Sequence, residues 1–214
     1  MKPGPHAPLN PAERRLHRLR TALDQRLGHV ACAIQAVHHR HNISAILRTC
    51  DSLGLHQVHL VEGHFTPTRG ATRGAEKWLD LHQHTSTSAA IEALRAQHMR
   101  IYVADLTDDS VPPEQVPIDK PVCLWFGAEL AGVDPEAAKA ADGVVHIPMR
   151  GLAQSLNVSV AAALALRTVA ERARSELGSQ ALLTAEHRER VWSMWVQREE
   201  ALREALAARS DSAR

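Results

Sequence analysis

Residues 147–174, with the sequence IPMRGLAQSLNVSVAAALALRTVAERAR, constrain the fold of this chain more than any other stretch. The stretch begins as the end of a strand, because Pro148 cannot donate to a sheet ladder, and Gly151 then permits a turn. Ser155 is predicted to cap the helix that follows. From residue 156 to residue 169 this helix is apolar on almost every side, which predicts burial in a core, or in a core and a subunit interface.

Polar side chains cluster where this apolar helix begins. Gln154, Ser155 and Asn157 follow the glycine loop within a few residues. Polar groups at the start of a buried helix indicate a small-molecule site. A cap over a core helix explains the same residues, and the local pattern leaves both interpretations open.

Strands and helices alternate along most of the chain. Apolar runs predict strands at residues 30–37, 56–61, 79–84, 101–104, 121–126 and 143–147. Helices are predicted at residues 42–53, 86–97 and 135–140. The strand–helix–strand order predicts an α/β fold with a mainly parallel sheet. Leu106, Gly127 and Ile147 follow three of the strands, where ligands bind in such sheets.

The basic residues of the chain are concentrated locally, because its net charge is only +1. A helix is predicted at residues 13–27, with an apolar leucine stripe and the cations Arg14, Arg15 and Arg18 on its other faces. Arg69 and Arg73 lie in a glycine-containing loop at residues 65–78. These arginines are candidate phosphate contacts, and the alternatives are a solvated helix face and a flexible surface loop.

Several classes of protein are disfavoured by the sequence. The cysteines, Cys32, Cys50 and Cys123, lie far apart without a CxxC motif, which favours a reducing cytosol over a disulfide framework or zinc ribbon. HHRH at residues 38–41 has no nearby carboxylate or cysteine set, so no metal is expected, and most of the 14 histidines are predicted to be solvated. No apolar run reaches transmembrane length, so a cytoplasmic protein without a membrane segment is expected. Neither GxGxxG nor a Walker A motif is present.

The predicted domain organisation has four parts. Residues 1–12 are proline-rich and expected to be disordered, and residues 13–28 hold the basic helix. Residues 29–174 form the α/β domain, and ELGSQ is a linker to the C-terminal part, residues 175–214. That part contains an amphipathic helix at residues 181–208 with Trp192 and Trp195 on it. Packing on its own domain or on a partner subunit is the favoured interpretation of this helix, and stacking of a tryptophan on RNA is the alternative.

Asn42 and Arg48 lie on the predicted helix at residues 42–53. Asn42 is a good N-cap residue. Arg48 stands among Ile46, Leu47 and Cys50, where a guanidinium must be paired or reach into a cleft.

Three stretches in order resemble the signatures of one enzyme family. NISAILRTCDSLGL (42–55), LWFGAELAGV (124–133) and IPM followed by SLNVSVAAALAL resemble the first, second and third signatures of the TrmH (SpoU) group of SPOUT methyltransferases. The resemblance covers residues 29–174, and TRGAEKW (72–78) and FGAE are closest to the members that act on guanosine 18 of tRNA. It implies a deep trefoil knot at the C-terminal side of the domain, although knots are otherwise essentially absent from proteins.

The resemblance also implies the chemistry. The expected reaction is transfer of a methyl group from S-adenosyl-L-methionine to a ribose 2'-hydroxyl of tRNA, by a homodimer. The residues on the family's catalytic positions are Asn42, Arg48, Glu129, Ser155 and Asn157. The residues expected to bind the cofactor are Leu106, Gly127, Ile147, Ser155 and Leu156.

Roles for these residues follow from the resemblance and from the chemistry of each group. Arg48 would hold the phosphate beside the target ribose and stabilise the developing alkoxide, because a guanidinium stays protonated. Ser155 and Asn157 would orient Arg48 and the ribose, and Glu129 would organise its loop. In this family context the arginines of residues 13–27 favour contact with the RNA backbone.

Two other functions stay open at this stage. A related enzyme of the same chemistry could act on ribosomal RNA or on another tRNA position. A non-catalytic RNA-binding member is disfavoured because all five catalytic positions hold the family's residues.

Overall fold

The structure is a computed structural model that describes residues 10–35, 40–62, 72, 74–128 and 132–211. The described residues form two compact units, one of residues 27–182 and one of residues 10–26 with residues 183–211. Within these ranges no helix is long and apolar enough to cross a membrane. In chain order the elements are α1 (Pro11–Asp24), β1 (Val30–Gln35), α2 (Arg40–Leu53), β2 (Gln57–Val61), β3 (Asp80–His84), α3 (Thr87–Ala96), β4 (Arg100–Ala104), β5 (Val122–Phe126), α4 (Pro135–Ala140), β6 (Gly143–Val145), α5 (Val158–Leu177) and α6 (Ala185–Asp211).

The larger unit is built on a parallel sheet. Its six described strands lie in the order β3-β2-β1-β5-β4-β6, and every neighbouring pair is parallel. The prediction of an α/β fold with a mainly parallel sheet is therefore confirmed. Because all strands run the same way, the carboxyl ends of β5, β4 and β6 meet at one edge. The strand order reverses between β1 and β5, which is the position where open α/β sheets bind ligands.

Helices cover both faces of this sheet. On one face α2 and α5 pack against each other and enclose an apolar core that includes Ile46, Leu124 and Leu166. On the other face α3 and α4 cover a second core that includes Trp125 and Leu94. β1 is buried along its whole length, as expected for a central strand covered on both sides.

Helix α5 differs from the prediction in its start, its end and its burial. It begins at Val158, and its N-cap is Asn157 rather than Ser155. Residues 175–177 continue the helix and a 3-10 turn, Gly178–Ala181, follows, so the predicted ELGSQ linker is wrong. The face carrying Ala162, Leu166 and Val169 is buried, whereas Val160 and Leu164 are each 46% exposed in the single chain. Up to Val169 the helix is apolar on almost every side, but within the described residues its burial is confined to one face.

The smaller unit contains α1 and α6. Helix α1 spans Pro11–Asp24 rather than residues 13–27, because Asn10 and Glu13 form a capping box at its start and Pro11 occupies a first-turn position. Asn10 and Pro11 therefore belong to ordered structure and not to the predicted tail. Leu19 and Leu23 are its buried face.

Two tryptophans of α6 have cationic neighbours within this smaller unit. Helix α6 begins at Ala185, later than predicted, and Thr184 Oγ1 accepts a hydrogen bond from the amide of His187. The guanidinium of Arg26 lies 5.1 Å from the buried ring of Trp195, and that of Arg20 lies 5.3 Å from the ring of Trp192. These contacts favour the packing interpretation of this amphipathic helix over stacking on RNA.

Two histidines depart from the expectation of solvated histidine side chains. His56 and His59 are buried at the β2 side of the sheet. The ring of His59 stacks on His82 and His84 of β3, with centroid distances of 4.8 Å and 5.1 Å. Burial lowers the pKa of His59 to about 3, so this side chain is neutral at physiological pH.

Candidate active site

A cavity opens at the edge of the sheet where β4, β5 and β6 end. Its volume is about 1120 Å³, slightly above the roughly 300–1000 Å³ that is usual for ligand pockets. All five of the predicted cofactor-binding residues line it, namely Leu106, Gly127, Ile147, Ser155 and Leu156. Phe126, Val145 and Ala165 add apolar walls, and Gln154 and Asn157 add polar groups. The strand exits therefore converge as the parallel sheet predicts.

Asn157 connects this cavity to helix α2. Its Oδ1 accepts hydrogen bonds from the amide of Ser159 at 2.9 Å and from the Ser159 hydroxyl at 2.6 Å, which caps α5. Its Nδ2 donates to Oδ1 of Asn42 at 3.2 Å. One amide side chain thus fixes the start of α5 and ties it to α2 across 115 residues of sequence.

Asn42 is not the N-cap that the sequence predicted. Helix α2 begins at Arg40, so Asn42 lies inside its first turn. Its side-chain oxygen accepts the hydrogen bond from Nδ2 of Asn157. The two asparagines of the first and third signatures are therefore brought together at the rim of the cavity.

Ser155 lies two residues before the cap of α5. It is exposed and lines the cavity rather than capping the helix. Asn157 displaces it as N-cap because an Asx side chain accepts from the amide two residues on, and Val158 already starts the helix.

The loop after β5 is closed by a tight pair of backbone hydrogen bonds. The amide of Ala128 donates to the carbonyl of Gly132, and the amide of Gly132 donates to the carbonyl of Ala128, both at 2.9 Å. A Cβ on Gly127 would lie 2.1 Å from the Gly132 oxygen, so only glycine fits there. Gly132 has a φ of +70°, which also favours glycine. Glu129, the predicted catalytic residue of this loop, lies outside the described residues.

Gln35 supports the same loop from the end of β1, and the sequence reasoning missed it. Its Oε1 accepts from the indole Nε1 of Trp125 at 3.0 Å and from the amide of Asp134 at 3.3 Å. Its Nε2 donates to the hydroxyl of Thr87 at 2.7 Å. Buried polar groups need such partners, and this one joins β1, β5 and the far end of the loop. The signal in the sequence was a glutamine closing the apolar strand VACAIQ.

Arg48 lines a second cavity and not the first. Its side chain is exposed, and it lines a space of about 520 Å³ together with Thr49, Asp51 and Trp78. Within the described residues, the hydrogen bonds of Ser155 and Asn157 do not include Arg48, so the predicted orientation of Arg48 by these two groups is not seen. Arg48 lies six residues after Asn42, about 9 Å further along the helix axis.

The predicted RNA contacts fall into two groups. Arg14 and Arg18 are exposed on α1, while Arg15 donates to Glu199 at 3.2 Å. Arg69 and Arg73 lie outside the described residues. On α1 the cations that could meet a phosphate are therefore Arg14 and Arg18.

The cysteines take no part in either cavity. Cys32, Cys50 and Cys123 are all buried thiols. Burial raises the pKa of Cys32 and Cys123 well above the ordinary range, so neither supplies a thiolate.

Metal ligands are likewise not assembled in the part of the chain that the structure describes. No group of three or more His, Cys, Asp or Glu side chains there is arranged to hold a metal ion. Of the HHRH stretch, residues 38 and 39 lie outside that part, and His41 is exposed.

Comparisons with known proteins agree on one family. Residues 29–167 match the model of the SpoU rRNA Methylase family. The chain is 35% identical to a tRNA (guanosine(18)-2'-O)-methyltransferase of Thermus thermophilus, over 87% of this chain and 97% of that protein. The structure is similar to that of the A. aeolicus TrmH/SpoU tRNA modifying enzyme, with a TM-score of 0.78 and 33% sequence identity. The match covers 87% of this chain and 97% of that chain. It is also similar to an AdoMet-bound rRNA methyltransferase from Sinorhizobium meliloti, with a TM-score of 0.60 and 27% sequence identity. That match covers 74% of this chain and 60% of that chain.

Proposed function

The chain belongs to the SpoU rRNA Methylase family, and from this premise we propose that it methylates the ribose 2'-hydroxyl of guanosine 18 in tRNA, using S-adenosyl-L-methionine. The observation that carries the proposal is the cavity at the strand ends, with the Asn42–Asn157 hydrogen bond at its rim. The substrate follows from the Thermus thermophilus relative, which this chain matches over 97% of that protein's length.

The cavity suits this cofactor in size and in chemistry. Apolar side chains such as Ile147, Leu156 and Phe126 offer walls for a purine, and the loop backbones at Gly127 and Leu106 offer hydrogen-bonding groups for its edge. When bound, the cofactor supplies an electrophilic methyl group on a sulfonium. Gln154 and Ser155 lie at the exposed side of the cavity, where they would contact the polar end of the cofactor.

The protein's own groups position the ribose and stabilise charge. Asn42 and Asn157 are held together at the rim, so they are placed to hydrogen-bond the ribose. The guanidinium of Arg48, a planar group with several donors, would hold the neighbouring phosphate while it stabilises the alkoxide that develops. Glu129 is proposed to organise its loop rather than to transfer a proton.

Methyl transfer from labelled S-adenosyl-L-methionine to unmodified tRNA, followed by mapping of the modified nucleotide, tests the proposed function. Label at guanosine 18 is the expected result. Label on ribosomal RNA but not on tRNA would keep the chemistry and change the substrate, in line with the family's name. Binding of RNA without transfer to either would favour the non-catalytic alternative.

We propose that Arg14 and Arg18 contact tRNA phosphates. They lie four residues apart, both exposed, on one side of α1. Replacing both with glutamine should lower the slope of log affinity against log salt concentration by about 1.5, because two phosphate contacts are lost. Filter binding of tRNA between low and physiological salt measures this slope.

Arg20 is the matched control for these two arginines. It lies on the same helix but donates to Glu189 at 2.8 Å, so Arg20→Gln should leave the salt slope unchanged. An unchanged slope in the Arg14→Gln/Arg18→Gln variant would contradict the phosphate contacts.

A homodimer is proposed from the apolar surface beside α5. Met149, Leu152, Val160 and Leu164 are at least 40% exposed, and Leu152 is fully exposed. Large apolar side chains exposed on α5 and on the segment before it are typical of an interaction surface, and a second copy of the chain is the partner that the family implies. The double variant Val160→Glu/Leu164→Glu should sediment as a monomer while the parent chain sediments as a dimer.

Met194 provides the control for this surface. It is 51% exposed, but it lies on α6 in the smaller unit. Met194→Glu should leave the dimer intact. A parent chain that sediments as a monomer at micromolar concentration would exclude the proposed dimer.

The family also implies the path of the chain. We infer that the segment from the last strands into α5 threads a loop to form a trefoil knot. The inference is tested by determining the structure experimentally and joining the two ends of the backbone into a closed curve. A curve without a knot would refute the inference.

A further inference from the structure

We propose that Gln35, at the end of β1, is a positioning residue of the first cavity, because it holds both ends of the loop after β5 while Thr87 and Glu62 fix the orientation of its amide group. The inference rests on the proposed function, since it takes the first cavity to be the cofactor site. Gln35 does not line that cavity and lies outside the three family signatures. Its role is therefore separate from that of the cofactor-binding residues.

The oxygen of the Gln35 amide group joins the two ends of the loop. Oε1 accepts from the indole Nε1 of Trp125 at 3.0 Å and from the amide of Asp134 at 3.3 Å. Trp125 lies two residues before Gly127, and Asp134 lies two residues after Gly132. Both glycines line the first cavity. One buried oxygen thus sets the separation of the two segments that carry these lining residues.

The nitrogen of the same amide group is held from α3 and from the end of β2. Nε2 donates to the Thr87 hydroxyl at 2.7 Å and to Oε2 of Glu62 at 3.4 Å. The Thr87 hydroxyl donates to Oε1 of Glu62 at 3.1 Å, and the Thr87 amide donates to the same oxygen at 3.3 Å. Gln35 and Thr87 are 2% and 1% exposed, so the protein itself must supply their hydrogen-bond partners.

The chemistry of these partners permits only one direction for the chain of hydrogen bonds. An indole N–H and a backbone N–H can only donate, so the Gln35 oxygen must face Trp125 and Asp134. A carboxylate can only accept, so the Thr87 hydroxyl gives its proton to Glu62. The Thr87 oxygen is then left to accept from the Gln35 nitrogen. Turning the amide group over would place its nitrogen against two donors.

Glu62, the last acceptor of this chain, is also fixed through its backbone. Its φ is +53°, in the left-handed region that residues other than glycine seldom adopt. Its amide donates to the carbonyl of His84 at 3.0 Å. A conformation of this kind persists only where the surroundings hold it, and the two bonds from Thr87 contribute to that. The carboxylate is therefore a defined anchor, although the residue is exposed.

A displaced loop would change the cavity more than the reaction. The backbones of Gly127 and Gly132 are in close contact, so a shift at Asp134 is passed to the wall of the first cavity. Gln35 touches neither the ribose position at Asn42 nor the cavity itself. Its loss should therefore act on cofactor binding, with little effect on the rate once the cofactor is bound.

The first test replaces Gln35 with leucine, which leaves the Trp125 and Asp134 donors without their acceptor. The Kd of S-adenosyl-L-methionine, measured by calorimetry, should rise by about tenfold or more. The KM of the cofactor should rise in parallel, while kcat at saturating cofactor stays within about threefold of the parent value. Gln83→Leu, at an exposed glutamine on β3, is the matched control and should keep the parent Kd.

Gln35→Glu tests the direction of the hydrogen bonds with a side chain of the same shape. Glutamate still accepts from Trp125 and Asp134, but it cannot donate to Thr87 and it brings a second carboxylate beside Glu62. The cofactor Kd should rise by about three- to tenfold at about pH 8. Adding Glu62→Gln should return the Kd to within about twofold of the parent value, because the new amide group supplies the missing donor.

Acid should rescue the Gln35→Glu protein as well. Burial and the neighbouring Glu62 carboxylate raise the pKa of a carboxyl group at position 35, and its protonated form regains a donor. The Kd should therefore fall toward the parent value as the pH is lowered from about 8 to about 5.5, and the loss should return above the raised pKa.

Other titratable groups on this side of the sheet are shared by all the proteins compared. His59 lies on the same face as Gln35 by strand register, and the rings of His82 and His84 stack on it. The first turn of α3 has no charged residue. The remaining carboxylates are those of Asp80, Asp134 and Glu136. The parent protein and Gln83→Glu measure the pH dependence that these groups cause.

The outcomes separate this inference from the proposed function. A parent protein that does not bind S-adenosyl-L-methionine would overturn both. A parent protein that binds it but leaves guanosine 18 unmethylated would overturn the proposed function alone, since the Kd values still decide the role of Gln35.

The variants decide the positioning role itself. A parent-level Kd in Gln35→Leu, or a lower kcat with an unchanged cofactor KM, would overturn it. A Gln35→Glu protein that is rescued neither by Glu62→Gln nor by acid would overturn the assigned direction of the hydrogen bonds. If Gln35→Leu does not fold, Gln35→Glu with and without Glu62→Gln gives the answer.

Discussion

Replacing Arg48 with alanine is expected to slow methyl transfer by about 10³-fold or more while cofactor affinity stays at the parent level. Arg48 is exposed and lines only the second cavity, so its removal leaves the walls of the first cavity intact. The loss falls on the transition state, because a fixed cation near the developing alkoxide acts mainly as charge builds up. Single-turnover rates with saturating tRNA and cofactor measure the effect, and calorimetry measures the affinity.

A lysine at the same position should recover only part of the rate. It restores the positive charge but lacks the planar fork that binds a phosphate with two parallel hydrogen bonds. Lys139→Ala, at an exposed cation on α4, is the matched control and should have the parent rate. Normal turnover in Arg48→Ala would show that the assignment of Arg48 is wrong, and loss of cofactor binding in that variant would move its role to the first cavity.

The parts of the fold that could be predicted from sequence are those set by periodicity. Short apolar runs bounded by turn residues, such as VCLWF at β5, are typical of strands that are buried on both faces, and β5 is buried along its whole length. Their alternation with helices fixes parallel pairing, and parallel pairing brings the exits at Leu106, Gly127 and Ile147 to one edge. These three lining residues of the first cavity can therefore be predicted from the order of strands and helices, without knowledge of side-chain contacts.

The parts that could not be predicted depend on contacts between distant segments. Asn42 and Ser155 are both good caps by local rules, yet α2 begins at Arg40 and Asn157 caps α5. Asn42 is left to accept from Asn157, a contact that no local pattern contains. The same limit applies to Gln35, whose partners lie on α3, on β5 and beyond the loop that follows β5.

The burial of α5 shows a different limit of sequence reasoning. A helix that is apolar all round predicts that every side is covered, but it does not state by what. Leu166 is covered by the chain itself, whereas Val160 and Leu164 are not. The prediction of burial is therefore confirmed for the face of Leu166 only, and the proposed second copy would cover Val160 and Leu164.

Gly127→Ala is the second substitution with a large expected effect, because the added methyl has no space. Its Cβ would lie 2.1 Å from the carbonyl oxygen of Gly132 and 2.6 Å from the amide nitrogen of Val133, both rigid backbone atoms. The loop must therefore move away from β5, which breaks the paired hydrogen bonds between Ala128 and Gly132. Overpacking of this kind costs about 1–3 kcal/mol in the free energy of unfolding, measurable by urea denaturation.

The same displacement should weaken cofactor binding by about tenfold or more, which corresponds to a loss of about 1.4 kcal/mol or more in binding free energy. Gly127 lines the first cavity, and Glu129, which is proposed to organise the loop, follows it by two residues in the sequence. Gly151→Ala is the matched control: a Cβ there meets nothing within 4 Å, so both the unfolding free energy and the cofactor affinity should match the parent values. Unchanged cofactor affinity in a destabilised Gly127→Ala protein would mean that the loop after β5 shapes the fold but not the cofactor site. Equal effects at both glycines would instead mean that chain flexibility, and not the close approach to Gly132, is what these positions require.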